Sequence, residues 1–392
     1  MSAKRILVAM HDFSGGGTER TAIRLANEWA RRGRTVRIFC GSESGPTRAL
    51  VSDAVQVREA DPVLPRSLGS RATLGLHLRQ EALLSQSDAI FGIGNFHIPV
   101  LAAYNAAGGS PAKTLCKLSN PLSLGGLSRS MAPFHAFGLR MLTKDIDALV
   151  AMSPALRVEA CRVLKRPDVL MAPEPILSGP PIVRAAMRSS EKAPPLLVCA
   201  GRLERQKNFS LALDAFAALP ASRGACLAIL GEGSQRQALE RQAQRLGIAD
   251  RVHMPGHVAD IRVWLQQATA FLSTSRYEGY PAVLIEAIAS GVPVITTESS
   301  PAIREIIEDM AHGEIVASDS STLAMALDRW IRAPLTTSPA AELGRLHRHR
   351  VEWAAGAYLR LLDDLTASPS PASTELLSEI PWTETDLTAR RA

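Results

Sequence analysis

Short apolar runs alternate with amphipathic stretches along this chain, and the alternation happens twice. Residues 5–10 read as a strand, 18–32 as a helix closed by Gly33, and 35–40 as the next strand. Further strand-like runs follow at 89–93, 114–118, 148–152 and 169–171. Strands separated by helices in this way build a parallel, doubly wound sheet. Between Pro173 and Pro195 the composition changes to six prolines and a polar Arg-Ser-Ser-Glu-Lys run, which reads as an interdomain connection. The pattern restarts at 196–200, repeats at 226–230 and continues to about Ala317. The expected fold class is therefore α/β, with two Rossmann-like doubly wound parallel-sheet domains at 1–180 and 181–350. Trp353, Ala357, Leu361 and Leu365 recur every four residues, so a terminal amphipathic helix is expected over 351–366. The Ser-, Pro- and Thr-rich stretch 367–392 is expected to be disordered.

At 392 residues the chain has material for two such domains, and its 46% hydrophobic content is that of a globular protein. The net charge of +6 suits phosphate-bearing ligands or an anionic membrane face, and equally well serves plain solubility. No basic run is interleaved with stacking aromatics, which argues against nucleic acid. The five cysteines, Cys40, Cys116, Cys161, Cys199 and Cys226, form no CxxC pair, and four of them sit in or beside apolar runs. Reduced, mostly buried thiols and a cytoplasmic location are expected. The first apolar run is too short for a signal peptide, and none approaches the roughly 20 residues of a membrane span.

The segment Ser275-Arg276-Tyr277-Glu278-Gly279-Tyr280-Pro281-Ala282-Val283-Leu284-Ile285-Glu286-Ala287 carries two carboxylates across a loop that becomes a helix. Pro281 fits the first helical turn, which leaves Glu278 just outside the helix and Glu286 on it. The free amides at a helix start suit a phosphate, and carboxylates accept sugar hydroxyls, so this reads as a nucleotide-sugar pocket. The second domain opens with Gly201-Arg202-Leu203-Glu204-Arg205-Gln206-Lys207-Asn208 directly after a strand. Arg202 and Lys207 are placed there to neutralise a diphosphate at the carboxyl end of the sheet. Gly231 and Gly233 permit close backbone approach, and the loop of Gly16 and Gly17 feeds a helix start that can cradle a phosphate. The spacing G-x-G-x-x-G is missing and no Lys-Ser/Thr follows, which speaks against a redox dinucleotide or ATP. Asp145-Ile146-Asp147 reads as a strand-entry turn. His253 and His257 flank Pro255-Gly256 and share no helix face, and His347 and His349 read as surface residues, so no metal is expected.

Taken together, Gly16-Gly17-Thr18-Glu19, Gly201-Arg202-Leu203 with Lys207-Asn208, Gly231-Glu232-Gly233, Pro255-Gly256, and the Glu278/Glu286 pair with Gly291-Val292-Pro293-Val294 resemble family 4 of the retaining glycosyltransferases, over residues 4 to 365. The resemblance implies the GT-B fold, two Rossmann-like domains facing across a cleft. The C-terminal one would bind the nucleoside diphosphate sugar and the N-terminal one mainly the acceptor, with the terminal helix crossing back onto the N-terminal domain. Carried over by position, it gives Arg202 and Lys207 the diphosphate, helped by the amides of Gly16 or Gly17. Glu286 takes the ribose hydroxyls and Glu278 the sugar hydroxyls. The amides of Gly279, Tyr280 and Ala282, around Pro281, line the sugar–phosphate end. Many members place a histidine after the strand that here is 114–118, and this chain has Lys117-Leu118-Ser119-Asn120-Pro121 instead. Lys117, Ser119, Asn120 or His97 are the candidates for that acceptor-side space.

The activity so implied is retaining transfer of a hexose-type sugar from a nucleoside diphosphate sugar to an acceptor hydroxyl, without a metal or other cofactor. The setting would be surface polysaccharide, lipopolysaccharide or glycolipid assembly, on a saccharide or lipid-linked saccharide acceptor. A sugar-nucleotide-binding protein without turnover, or a same-fold epimerase or phosphorylase, are the alternatives. Residues 128–144 mix Arg and Lys with Met, Phe and Leu. They read either as a patch resting on the anionic inner face of the cytoplasmic membrane or as an ordinary helix packed on the sheet.

Overall fold

The computed structural model describes residues 2–67, 69–108, 112–123, 131–179, 194–258, 260–307, 313–333, 344 and 346–367. Ser128-Arg129-Ser130, most of the proline-rich connection and the tail from residue 368 lie outside them. The chain forms two compact units, Met1–Pro175 with Arg348–Ala392, and Ile176–His347. The first crossing falls a few residues ahead of the sequence-based boundary at 180. Glu174 is tied into the first unit by Thr21 and Lys117, whereas Ile176 already lies in the core of the second.

In the first unit the strands are β1 (Arg5–Met10), β2 (Thr35–Cys40), β3 (Gln56–Glu59), β4 (Ala89–Ile93), β5 (Lys113–Lys117), β6 (Ala148–Ala151) and β7 (Leu170–Met171). The helices between them are α1 (Gly17–Arg31), α2 (Ser70–Leu84), α3 (Ile98–Ala106), α4 (Ala132–Thr143) and α5 (Pro154–Leu164). All pairings are parallel, in the order β3-β2-β1-β4-β5-β6-β7. The central strands β1, β4 and β6 are apolar and almost wholly buried, as a sheet covered on both faces requires.

In the second unit the strands are β8 (Leu196–Ala200), β9 (Cys226–Leu230), β10 (Val252–Gly256), β11 (Ala270–Ser273), β12 (Val294–Thr297) and β13 (Gly313–Val316). Its helices are α6 (Phe209–Ala217), α7 (Arg236–Arg245), α8 (Arg262–Gln267), α9 (Ala282–Ala289), α10 (Pro301–Ile307) and α11 (Ser320–Arg332). The sheet order is β10-β9-β8-β11-β12-β13, again with parallel pairings.

The last described helix, α12 (Val351–Thr366), belongs to the first unit. Its Tyr358 ring meets Phe91 edge-on, Phe91 meets Trp29 in the same way, and Trp29 Nε1 donates to the Ala355 carbonyl at 3.1 Å. Arg34 pairs with Asp363 at 2.8 Å, closing the rim of that contact. The cysteines are all free thiols, and burial pushes those of Cys40 and Cys116 up to about 12.

Candidate active site

The strand order of the second unit reverses between β8 and β11, so the loops leaving these two neighbours flank a topological switch point. Open parallel sheets take their ligands at that position, beyond the carboxyl ends of the strands. The loop at 201–208 leaves β8 and the loop at 274–281 leaves β11. Backbone and side-chain bonds lace them together. The Arg276 amide donates to the Gln206 carbonyl at 2.8 Å, Gln206 Nε2 to the Tyr277 carbonyl at 2.9 Å, and Thr274 Oγ1 to the carbonyls of Lys207 and Asn208 at 3.1 and 3.0 Å.

This lacing brings Lys207 and Glu278 into contact. Lys207 Nζ lies 2.5 Å from Glu278 Oε1, and Ser275 Oγ donates to the same oxygen at 2.7 Å. The Glu278 amide donates to the Ser299 carbonyl at 3.0 Å, fixing the loop against the one that follows β12. Arg202, on the same β8 loop, is exposed, and its guanidinium makes no hydrogen bond among the described residues. The two loops therefore offer one exposed guanidinium, near Glu204, and one lysine held by a carboxylate.

Glycine is required here for packing. A Cβ on Gly231, whose φ is +140°, would lie 2.0 Å from the Gly201 carbonyl oxygen. One on Gly233 would lie 2.5 Å from that of Leu203. The Gly231 amide is itself spent on the Gly256 carbonyl at 2.8 Å, so it is not free for a ligand. The Glu278 segment also departs from expectation in detail. Pro281 is the residue before the helix, not part of its first turn, because its ψ of 79° is not helical. The Ala282 amide turns back onto the Tyr280 carbonyl at 2.9 Å, which removes it from the set of free donors. Gly279 and Tyr280 are half-buried on the loop, and Glu286 is half-buried on α9.

The first-unit candidates separate into two groups. The loops after β4 and β5 are joined through Asn95. Its Oδ1 accepts from the Ser119 amide at 2.8 Å and the Asn120 amide at 3.3 Å, and its Nδ2 donates to the Asn120 carbonyl at 2.9 Å. Beside them, Gly94 packs so tightly that a Cβ would sit 2.7 Å from Ser119 Oγ and 3.0 Å from Thr18 Cγ2, next to Gly17 at the start of α1. Ser119 is half-buried and Asn120 exposed. Lys117 points elsewhere: it is 1% exposed and its Nζ pairs with Glu174 Oε2 at 2.7 Å. Glu174 Oε1 also accepts from Thr21 Oγ1 at 2.6 Å. Lys117 is thus a structural cation rather than a replacement for the family histidine. His97 is buried too, bonds the Ile93 carbonyl through Nδ1 at 2.6 Å, and burial lowers it to about 4.

Two further expectations receive a structural answer. Asp147 fastens β5 to β6, accepting from the Thr114 amide at 2.9 Å and from Lys113 Nζ at 2.9 Å. Burial raises its carboxyl, but these donors outweigh that and hold it below the usual range. His347 is exposed, but His349 is fully buried and interacts with the Glu174 carbonyl at 3.2 Å through Nδ1. The basic neighbourhood that made it look like a surface residue hides a core position.

The relatives of the chain fall into one class. A family described as glycosyl transferases group 1 matches residues 185–346, and one described as glycosyltransferase family 4 matches residues 15–176. Each unit therefore carries one of the two halves, and the chain belongs to the family 4 glycosyltransferases. Lipopolysaccharide outer core galactosyltransferase WaaB has the same fold, with a TM-score of 0.68 at 18% identity, covering 91% of this chain and 99% of that one. Anabaena Alr3699/HepE in complex with UDP and glucose superposes with a TM-score of 0.69 at 19% identity, over 92% and 96% of the two chains. Both are GT-B folds, and so is this one. In sequence, the Salmonella typhi Vi polysaccharide biosynthesis protein VipC/TviE is 39% identical over 92 residues, 24% of this chain and 15% of the relative. The Rhizobium meliloti lipopolysaccharide core biosynthesis glycosyltransferase LpsE is 30% identical over 172 residues, 43% of this chain and 49% of the relative. The chain thus spans about half or less of the length of these curated relatives.

Proposed function

We propose that this chain is a retaining glycosyltransferase that moves a hexose-type sugar from a nucleoside diphosphate sugar to an acceptor hydroxyl in surface polysaccharide or lipopolysaccharide assembly. The observation that carries this reading is the contact of Lys207 with Glu278 at the β8/β11 switch point of the second unit, on loops that also carry Arg202. The names of the relatives in polysaccharide and lipopolysaccharide core biosynthesis point the same way.

In the reaction, the bond from the anomeric carbon to the diphosphate oxygen breaks and a bond from that carbon to the acceptor oxygen forms on the same face. The acceptor proton passes to a phosphate oxygen of the leaving diphosphate. The chief demand is to stabilise negative charge on that diphosphate as it leaves. Arg202 and Lys207 supply this electrostatically, so no metal is needed in this account. Glu278 is close enough to Lys207 to accept a hydroxyl of the transferred sugar while orienting the cation, and Glu286 on α9 takes the ribose hydroxyls. Incubation with a panel of nucleoside diphosphate sugars tests the proposal. Slow release of the nucleoside diphosphate without acceptor is expected from one of them, with the anomeric configuration retained in the sugar product. Binding without release would favour a protein that no longer turns over, and interconversion of sugars would favour an epimerase.

A second element of the proposal is peripheral attachment to an anionic membrane through α4. Phe134 and Phe137 are 72% and 61% exposed, with Met131 and Met141 on the same helix and its flank also about half exposed. Only Thr143 of this helix is buried, which is not the pattern of a helix packed on the sheet along its length. Among the described residues no helix is long and apolar enough to cross a membrane. Aromatic side chains outside the core, near Arg140 and Lys144, suit the interface of an anionic bilayer.

A further inference from the structure

The first unit carries a second constellation that the donor reading does not use. Its strand order reverses between β1 and β4, so the loops leaving those strands flank a second switch point. His11 and Asp12 leave β1, Phe96 and His97 leave β4, and Arg66 and Arg71 come from the approach to α2 and its first turn. The Phe96 ring is the hub. The Arg71 guanidinium lies 4.0 Å from its centroid and that of Arg66 lies 5.0 Å away. The imidazoles of His11 and His97 meet it edge-on at 5.3 and 5.5 Å. An aromatic face holds a guanidinium in place without neutralising it.

The charges in this cluster are unevenly matched. Arg66 is engaged by Asp12 at 2.8 and 2.9 Å and by Glu19 at 2.7 Å. Arg71 has no hydrogen-bond acceptor among the described residues, and its Nε is buried without a partner. The first turn of α2, where Arg71 sits, contains no acidic residue. His97 is 97% buried with Nδ1 committed to the Ile93 carbonyl, and its Nε2 also lacks a partner. The acidic side chains of this cluster, Asp12 and Glu19, both face Arg66. One cation, Arg71, therefore remains unmatched beside the switch point of the sheet.

We propose that this position binds an anionic group, a phosphate or a carboxylate, on the saccharide acceptor, with Arg71 as the anchoring residue. The saccharide identity rests on the glycosyltransferase reading above, whereas the anion chemistry rests on this cluster alone. A guanidinium is suited to both groups because it offers paired N–H donors in one plane.

Binding of glucose 6-phosphate, glucuronate and neutral glucose is measured by calorimetry on the full chain, with saturating UDP and GDP present to occupy the donor site. Wild type is expected to bind both charged sugars at least about tenfold more tightly than glucose. Arg71→Gln should lose about tenfold for the charged sugars and leave glucose and UDP or GDP affinity unchanged, while Arg71→Lys should recover part of the loss. Thermal melting of each variant confirms that it is folded. Equal binding of glucose 6-phosphate by wild type and Arg71→Gln overturns the proposal, as does equal binding of glucose and glucose 6-phosphate by wild type. A loss confined to UDP or GDP affinity also overturns it, because the anion would then be the donor's diphosphate. If neither nucleotide binds wild type while the charged sugars still depend on Arg71, the donor reading fails and the anion site stands.

Discussion

Lys207 Nζ and Glu278 Oε1 are 2.5 Å apart, so the cation proposed for the diphosphate and the carboxylate proposed for the sugar are direct partners. The pair bridges the loops that leave β8 and β11, the two strands beside the switch point. Each side chain is mostly shielded from solvent, at 18% and 10% exposure. Such a pair fixes both groups in place, and on the proposed reading a diphosphate would add a second anion around Lys207 without having to order it.

Replacing Lys207 by Met should therefore lower donor turnover by about 10²–10³, the usual cost of one preorganised donor to developing negative charge. Glu278→Gln should lower it too, and the two changes together should cost less than the product of the single effects, because each already disables the pair. Steady-state donor hydrolysis by the three variants checks this. A Lys207→Met turnover within about threefold of wild type would remove Lys207 from the chemistry.

Gly231→Ala should destabilise the second unit. The added Cβ would fall 2.0 Å from the Gly201 carbonyl at a φ of +140°. Backbone strain of this kind costs about 1–3 kcal/mol, and the clash adds to it. Melting followed by circular dichroism should show a drop of several degrees, whereas Gly17→Ala, where a Cβ meets nothing within 4 Å, should stay near wild type.

Stability should fall as the pH drops below about 6.5, well before the carboxylates titrate. Burial lowers His97 to about 4, and burial together with Arg348 lowers His349 to about 3, from an ordinary 6.5. Above pH 6.5 both histidines are neutral in the folded and unfolded chain, so they contribute no pH dependence. Below it the unfolded chain takes up protons that the folded chain refuses, and each histidine costs about 1.4 kcal/mol per pH unit until its folded value is reached. Urea midpoints between pH 7 and pH 5 measure the slope, and His97→Asn should flatten it. An unchanged midpoint across that range would contradict the burial of both rings.

The α4 surface gives a salt-sensitive prediction. Full-length protein should float with vesicles containing anionic lipid at low salt and be released as the ionic strength rises. Phe134→Ser with Phe137→Ser should abolish flotation while leaving donor hydrolysis intact, since neither residue lies in the second unit. Flotation unaffected by these changes would remove the membrane role of this helix.

Much of the fold was legible because its central strands are continuous buried apolar runs, as at Ile6 to Met10 and Leu197 to Cys199. The strands that no apolar run announces, β3 and β10, are both at sheet edges. With one side unpaired, β3 reads Gln-Val-Arg-Glu and β10 alternates exposed and half-buried residues, so neither shows an apolar run. The placement of the candidate donor residues is legible for a related reason: Arg202, Lys207 and Glu278 sit on short loops whose place after a strand is visible locally. The first unit was not. Lys117 looked like a site residue until Glu174, from beyond β7, supplied its partner. His349 looked exposed until the chain brought it beneath the Glu174 carbonyl. Arg66 and Arg71 converge on Phe96 only through the tertiary fold, and no spacing announces that.

The proposed activity requires a diphosphate site at Arg202 and Lys207 in the second unit. Calorimetric titration of UDP and GDP into wild type, Arg202→Ala and Lys207→Met tests it most directly. At least one diphosphate should bind wild type, its parent nucleoside should bind far more weakly, and each substitution should weaken the diphosphate about tenfold or more. Absence of binding by both diphosphates, or affinity unchanged by both substitutions, would contradict a diphosphate site at these residues.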